Sequence, residues 1–137
     1  MPWQPTRVAD IMTRDPITVP GSAPLGEARR RLENSHITGL PVTDGDDRVI
    51  GVISQSDFLA LSRHDDDGPI SRHERRFVAD AAARPALTIG SWAPVRAAAR
   101  LLLDYGVHRL VVVDEDEHAV GILTTTDFVR LVAGEAG

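Results

Sequence analysis

The chain is written twice. From Val8 it reads VADIMTRDPITVPGSAPLGEARRRLENSHITGLPVTDGDDRVIGVISQSDFLAL, and from Val78 it reads VADAAARPALTIGSWAPVRAAARLLLDYGVHRLVVVDEDEHAVGILTTTDFVRL. A constant offset of 70 aligns the copies without a gap: Val8 falls on Val78, Thr18 on Thr88, Pro24 on Pro94, Asp44 on Asp114, Gly51 on Gly121 and Asp57 on Asp127. Internal repetition limits the architecture before any local pattern does. Two copies are too few for a solenoid. They predict two similar halves packed face to face about a pseudo-twofold axis, with equivalent clefts between them.

At 137 residues and 42% apolar content, the chain can bury one core shared by two small units. It has no cysteine, which excludes disulfides and thiolate metal sites and points to a reducing cytoplasm. Every basic side chain is arginine or histidine, and the net charge of −5 argues against broad nucleic-acid binding. The opening MPWQPTRVAD has no apolar leader core, and no apolar run reaches the length of a membrane span. The expectation is a soluble cytoplasmic protein without membrane contact.

Each copy reads as strand, helix, strand, strand, helix. The first strands are Pro16–Val19 and Ala86–Ile89. Pro24 and Pro94 then open helices whose apolar stripes are Leu25, Ala28 and Leu32 in one copy and Val95, Ala98, Leu102 and Tyr105 in the other. Strands Leu40–Val42 and Val49–Ile53 flank a turn with a hairpin signal at Asp44-Gly45, and Pro41 marks an edge or a strand start. Their counterparts are Arg109–Val113 and Ala119–Leu123, around the acidic turn Asp114–Glu117. Second helices start at Ser54 and Thr124. The predicted class is α+β, made of two tandem β-α-β-β-α units packed through their sheets: repeat one over 7–62, a charged linker over 63–77 and repeat two over 78–133. A short linker helix is expected near Ser71–Phe77.

The sharpest local signal is Gly51-Val-Ile-Ser54-Gln-Ser56-Asp57, with its twin Gly121-Ile-Leu-Thr124-Thr-Thr126-Asp127. A strand ends, hydroxyls follow, and an aspartate occupies the first helical turn. Helix capping accounts for a hydroxyl with an acid three residues later. It does not require the second hydroxyl, Ser56 or Thr126. A ligand reading uses every part: helix N–H groups and hydroxyls for a phosphate, and an acceptor-only carboxylate for a ribose diol. Both readings stand at this point. Before the hairpin lie His36-Ile37-Thr38-Gly39-Leu40-Pro41-Val42 and, in register, Gly106-Val107-His108-Arg109-Leu110-Val111-Val112. Gly39 permits close approach to the backbone, and His108 and Arg109 offer cationic donors to phosphates.

These blocks, together with Val8-x-Asp10-Ile11-Met12-Thr13, resemble the CBS (cystathionine β-synthase) domain, and the tandem resembles a CBS pair, or Bateman module, over nearly the whole chain. The resemblance implies two clefts shared between the copies. One combines Thr124, Thr126 and Asp127 with Ile17, Ile37, Thr38 and Gly39, with His108 near the phosphates. The other combines Ser54, Ser56 and Asp57 with Leu87, Val107, His108 and Arg109. Repeat two departs from the family pattern, with Ala81-Ala82-Ala83 for Ile11-Met12-Thr13 and Val111 for Pro41. The Asp127 cleft is therefore expected to be the tighter site.

The function implied is regulatory. An adenosine ligand (AMP, ADP, ATP or S-adenosylmethionine) binds, and a change in shape passes to an unidentified regulated protein. No cofactor is required. The alternative is a dimerisation or protein-interaction module with empty clefts. Neither is an enzyme: no nucleophile–base pattern or metal set is present, and His64 and His73 fall in the linker. A homodimer is expected, with the apolar sides of Phe58, Leu59, Phe128 and Val129 covered by a second chain.

Overall fold

The computed structural model describes residues 6–64 and 76–135, so the expected helix at 71–77 and the linker histidine at 73 lie outside the described residues or at their edge. In chain order the elements are α1 (Val8–Ile11), β1 (Thr13–Arg14), β2 (Val19–Pro20), α2 (Leu25–Ser35), β3 (Gly39–Thr43), β4 (Val49–Ser54), α3 (Gln55–His64), α4 (Val78–Ala81), β5 (Thr88–Gly90), α5 (Val95–Tyr105), β6 (Arg109–Val113), β7 (Ala119–Thr124) and α6 (Thr125–Val132). From β2 to α3 and from β5 to α6, the order is the β-α-β-β-α of the sequence reading. The protein is α+β. The one-turn helices α1 and α4 and the strand β1 precede that frame and were not anticipated.

Two sheets form, in the orders β1-β7-β6-β5 and β2-β3-β4. Strand β2 runs parallel to β3 and β5 parallel to β6, while the β3–β4 and β6–β7 hairpins are antiparallel. The compact units do not follow the repeats. One comprises Ile17–Ala86, and the other joins the residues up to Pro16 to those from Leu87 onward. Each repeat therefore lends its opening segment to the other repeat's unit. Thr13 pairs with Ile122 in β7, and, at the matching offset, Ala83 bridges Val52 in β4. The amide of Val8 donates to Ala93 carbonyl and that of Val78 to Ala23 carbonyl, both at 2.8 Å.

The motif glycines owe their identity to this exchange. A Cβ on Gly51 would lie 2.7 Å from the Ala83 carbonyl oxygen, and one on Gly121 would lie 2.5 Å from the Met12 sulfur. Neither site has room for a side chain, because the borrowed segment pairs alongside the strand there and brings the Ala83 or Thr13 carbonyl within 3 Å of the added Cβ.

Each unit has its own apolar core. Val19, Leu25, Ala28, Leu32, Leu40, Val42, Ile53 and the borrowed Val78 form one. Ile89, Val95, Ala98, Leu102, Leu110, Val112, Leu123 and the borrowed Val8 and Ile11 form the other. The helix stripes pack as the 3.6-residue period requires, with one exception. Tyr105, at the end of α5, is 65% exposed, because the chain turns out of the helix at Gly106 (φ 61°) and carries the ring past the core. The outer face of α2 is tied by ion pairs, Arg29 to Glu33 at 3.1 Å and Arg31 to Glu27 at 2.9 Å.

Two further expectations are corrected. Pro41 is neither at an edge nor at a strand start: it is buried within β3, the middle strand of its sheet. The β3–β4 turn places its left-handed residue at Asp47 (φ 63°) rather than at Gly45, matching Glu117 (φ 67°) in the other hairpin. Asp44 Oδ1 accepts from the amides of Asp46 and Arg48 at 2.8 and 3.0 Å, which shapes a longer loop than the Asp-Gly signal implies.

Candidate functional site

The expected clefts each draw residues from both compact units. In the unit built around repeat two, β7 ends at Thr124, which takes an extended conformation (φ −121°, ψ 164°) and caps α6. Asp127 is 7% exposed, and its Oδ2 accepts from Thr124 N–H at 2.8 Å and from Thr124 Oγ1 at 3.2 Å. Its Oδ1 receives no hydrogen bond from another described residue. Thr125 donates through its amide (3.0 Å) and its hydroxyl (3.1 Å) to the His108 carbonyl, which holds the β6 entrance against the first turn of α6. Arg109 is level with Thr124 across the hairpin, and the side chains of His108, Arg109 and Thr126 are exposed.

The unit built around repeat one repeats this arrangement. Asp57 Oδ2 accepts from Ser54 N–H at 2.7 Å and from Ser54 Oγ at 3.1 Å, and Ser54 Oγ lies 2.8 Å from Ser56 Oγ. The amide of Gln55 donates to the Thr38 carbonyl at 2.9 Å, and Gly39 pairs with Ser54. Asp57 is half-buried, and Ser56 and Thr38 are exposed. In both units the capping role and an open carboxylate oxygen coexist, one on each oxygen of the same group.

The structure thus gathers Thr38 and Gly39 with Ser54, Ser56 and Asp57, and gathers His108 and Arg109 with Thr124, Thr126 and Asp127. Ile37 and Val107 are half-buried against the cores of their own units. Ile17 and Leu87 differ. Leu87 carbonyl accepts from Val111 N–H at 3.3 Å. Ile17 carbonyl accepts no hydrogen bond within the described residues, the counterpart of Val111 being Pro41, which has no N–H, and its side chain is 40% exposed.

One cluster escaped the sequence reading, which found no metal set. Asp114, Asp116 and His118 bring ligand atoms within 4.8 Å of one another. The i, i+2, i+4 spacing was a visible signal. The geometry is that of a turn, because Asp114 Oδ1 accepts from the amides of Asp116 and His118, both at 2.9 Å. Phe58 and Phe128 pack against their own cores, whereas Leu59, Val129 and Val132 are 59%, 62% and 67% exposed. Among the described residues, no helix is long and apolar enough to cross a membrane.

The chain is 31% identical over 120 residues to inosine-5'-monophosphate dehydrogenase of Bifidobacterium longum, a match covering 87% of this chain and 21% of that enzyme. It spans well under half of that relative's length, and no larger share of the enzyme is matched. Its fold is similar to that of CBSX2 solved in complex with AMP, at 34% identity and a TM-score of 0.79, covering 93% of this chain and 96% of that one. It is also similar to the CBS domain pair of MJ0100 in complex with 5'-methylthioadenosine and S-adenosyl-L-methionine, at 27% identity and a TM-score of 0.77, covering 95% and 98%. CBS domains match residues 8–64 and 78–134, one for each copy of the repeat. The chain belongs to the CBS domain family.

Proposed function

We propose that the chain is a regulatory module that binds AMP, ADP, ATP or S-adenosylmethionine and passes the resulting change in shape or rigidity to a partner protein. The observation that carries this reading is the second carboxylate oxygen. Asp57 and Asp127 each cap a helix with Oδ2 and keep Oδ1 open beside a hydroxyl-rich helix N-terminus. A ribose diol donates to Oδ1. A phosphate takes the positive end of the helix and the N–H groups that the cap and the Thr38 or His108 carbonyl leave free, with Ser54 and Ser56, or with Thr124 and Thr126. His108 and Arg109 add cationic donors.

For the base, Ile37, Thr38 and Gly39 offer an apolar edge and an open backbone, and Ile17 carbonyl is an unused acceptor for the exocyclic amine of adenine. Leu87 and Val107 are the counterparts in the other unit, where the acceptor at Leu87 is already taken by Val111. The adenosine ligands in the two related structures support the same class of ligand. The exposed Leu59, Val129 and Val132 support a homodimer through the second helices, and the cysteine-free composition supports a cytoplasmic setting. The chain is read as regulatory rather than catalytic.

A thermal-shift panel of AMP, ADP, ATP, S-adenosylmethionine and GTP tests the reading. Ligand at a hundred times its Kd stabilises the folded state by about 2.7 kcal/mol, a readily measured rise in Tm. A response to the adenosine compounds, reduced in Asp57→Ala and Asp127→Ala, is expected. A flat panel would replace this reading with an interaction module whose aspartates serve as caps alone.

A further inference from the structure

The unit Ile17–Ala86 has a cavity of about 580 Å³ at the turn end of the β3–β4 hairpin, within the ~300–1,000 Å³ range of small-molecule pockets. It is remote from the hydroxyl–aspartate motif. Thr43 and Ser54 mark opposite ends of the hairpin, about 13 Å apart at ~3.3 Å per strand residue. The floor is apolar, formed by Ile50 and Ala79 around Gly21, where an added Cβ would lie 3.3 and 3.2 Å from their side chains. Phe77 forms a wall and is 56% exposed.

The other repeat is an internal control, because each of these positions has a counterpart at the offset of 70. There Trp92 stands where Ser22 is, and its indole lies over Gly90 so closely that a Cβ on that glycine would be 2.5 Å from the ring. Arg7 stands where Phe77 is. Its guanidinium donates to the Trp92 carbonyl, and its amide donates to Asp10 Oδ2 at 2.8 Å. At these positions that unit carries an aromatic ring and a cation of its own, with Asp10, Asp114 and Glu117 as the counterparts of Asp80, Asp44 and Asp47.

In the unit Ile17–Ala86 the acids are retained as Asp80, Asp44 and Asp47, while Phe77 and Ser22 hold the positions of that cation and that indole. Among the described residues, Asp47 and Asp80 form no ion pair. Thr43 also lines the cavity. It is 4% exposed, and its hydroxyl makes no hydrogen bond to another described residue.

We infer that this cavity is a second ligand site, distinct from the nucleotide motif, for a small organic cation: a guanidinium, amidinium or primary ammonium on a short apolar frame. The frame packs on Ile50 and Ala79, the cation faces Asp47 and Asp80, and Phe77 adds a cation–π contact of the kind that favours planar cations.

Titration of the isotope-labelled chain with benzamidine, agmatine and the neutral isostere benzamide, followed by amide shifts in NMR, tests this. Benzamidine and agmatine are expected to saturate shifts at Ser22, Gly45 and Ala79 at millimolar concentration, with benzamide far weaker. The double variant Asp47→Asn, Asp80→Asn is expected to weaken both cations by about tenfold, the scale of two exposed charge pairs. Asparagine suits the left-handed backbone at position 47, so this variant should fold. A second variant, Pro20→Gly with Ser22→Trp, transplants the indole of the other unit into the cavity and is expected to abolish the shifts. Equal binding of benzamide and benzamidine, unchanged affinity in the double asparagine variant, or no shifts at all would each overturn the proposal.

Discussion

Asp127 has two oxygens with different work. Oδ2 closes the start of α6 by accepting from Thr124 N–H, and Oδ1 is open. Alanine removes both, so Asp127→Ala is expected to lower stability by about 1 kcal/mol through the lost cap and to weaken an adenosine ligand about ten- to a hundredfold. Asparagine separates the two roles. Its single carbonyl oxygen keeps the cap, which turns the amide NH₂ toward the ribose, so the charged acceptor for the diol protons is lost and only weaker, neutral donation to a ribose oxygen is left. Asp127→Asn should therefore keep Tm near that of the wild type yet bind almost as poorly as the alanine variant; calorimetry beside thermal melts checks this. The sequence alone suggests a milder effect for asparagine, because it shows a carboxylate and two possible uses but not that both operate at once on different oxygens. His36 offers a second residue-scale test. It ends α2 in the left-handed conformation (φ 54°), where the other repeat has Gly106 (φ 61°). His36→Gly relieves that strain at some cost in unfolded-state entropy and should stabilise the chain by about 0.5 kcal/mol, visible as a small rise in Tm.

The two parallel strand pairs differ by one residue for a chemical reason. Val111 donates to Leu87 carbonyl and β5 begins at Thr88, whereas Pro41 has no N–H to give and β2 begins only at Val19. Pro41→Val should restore the missing bond, extend β2 to Thr18 and add a protected amide at position 41 in hydrogen exchange. Val111→Pro should shorten β5 and cost about 1 kcal/mol or more in urea unfolding. If Ile17 carbonyl receives the adenine amine, Pro41→Val should also weaken adenosine ligands while raising stability, a pairing that packing alone would not produce.

The turn between β6 and β7 adds a pH test. The His118 amide donating to Asp114, with a further bond from Asp116 and the nearby imidazole, holds that carboxyl below its ordinary 3.8 despite an opposing desolvation effect. A depressed folded-state value contributes stability above pH 3.8 that is lost as pH falls through the folded value. Asp114→Asn should flatten that part of the acid-unfolding profile.

Element order, helix stripes and both hairpins were legible because periodicity and turn chemistry are local. The short first strands were not, because their ends depend on which N–H a neighbouring strand can offer.

At the scale of the whole molecule, the chain is cut differently from its sequence repeat. Alignment at an offset of 70 shows two copies of 8–64. It cannot show which copy's opening segment completes which core, since an exchanged and an unexchanged arrangement have the same repeat. One trace of the exchange was readable in retrospect: Gly51 and Gly121, each in the middle of an otherwise apolar strand, mark where another backbone must pass. The consequence can be tested with fragments. A fragment spanning 17–86 contains Val78, fully buried with Val19, Leu25 and Ile53, and keeps the Ala83–Val52 bridge. A fragment spanning 7–62 lacks both and instead carries Val8 and Ile11, whose partners Val95, Leu110 and Leu123 lie in the other unit. The two are of similar length, and a domain this small has little stability to spare. The 17–86 fragment is expected to show dispersed amide shifts and cooperative thermal unfolding, and the 7–62 fragment, which is the repeat as the sequence draws it, to show neither. If 7–62 folds cooperatively and 17–86 does not, the opening segments complete their own repeats, and Val78 is not required in the core where the structure places it.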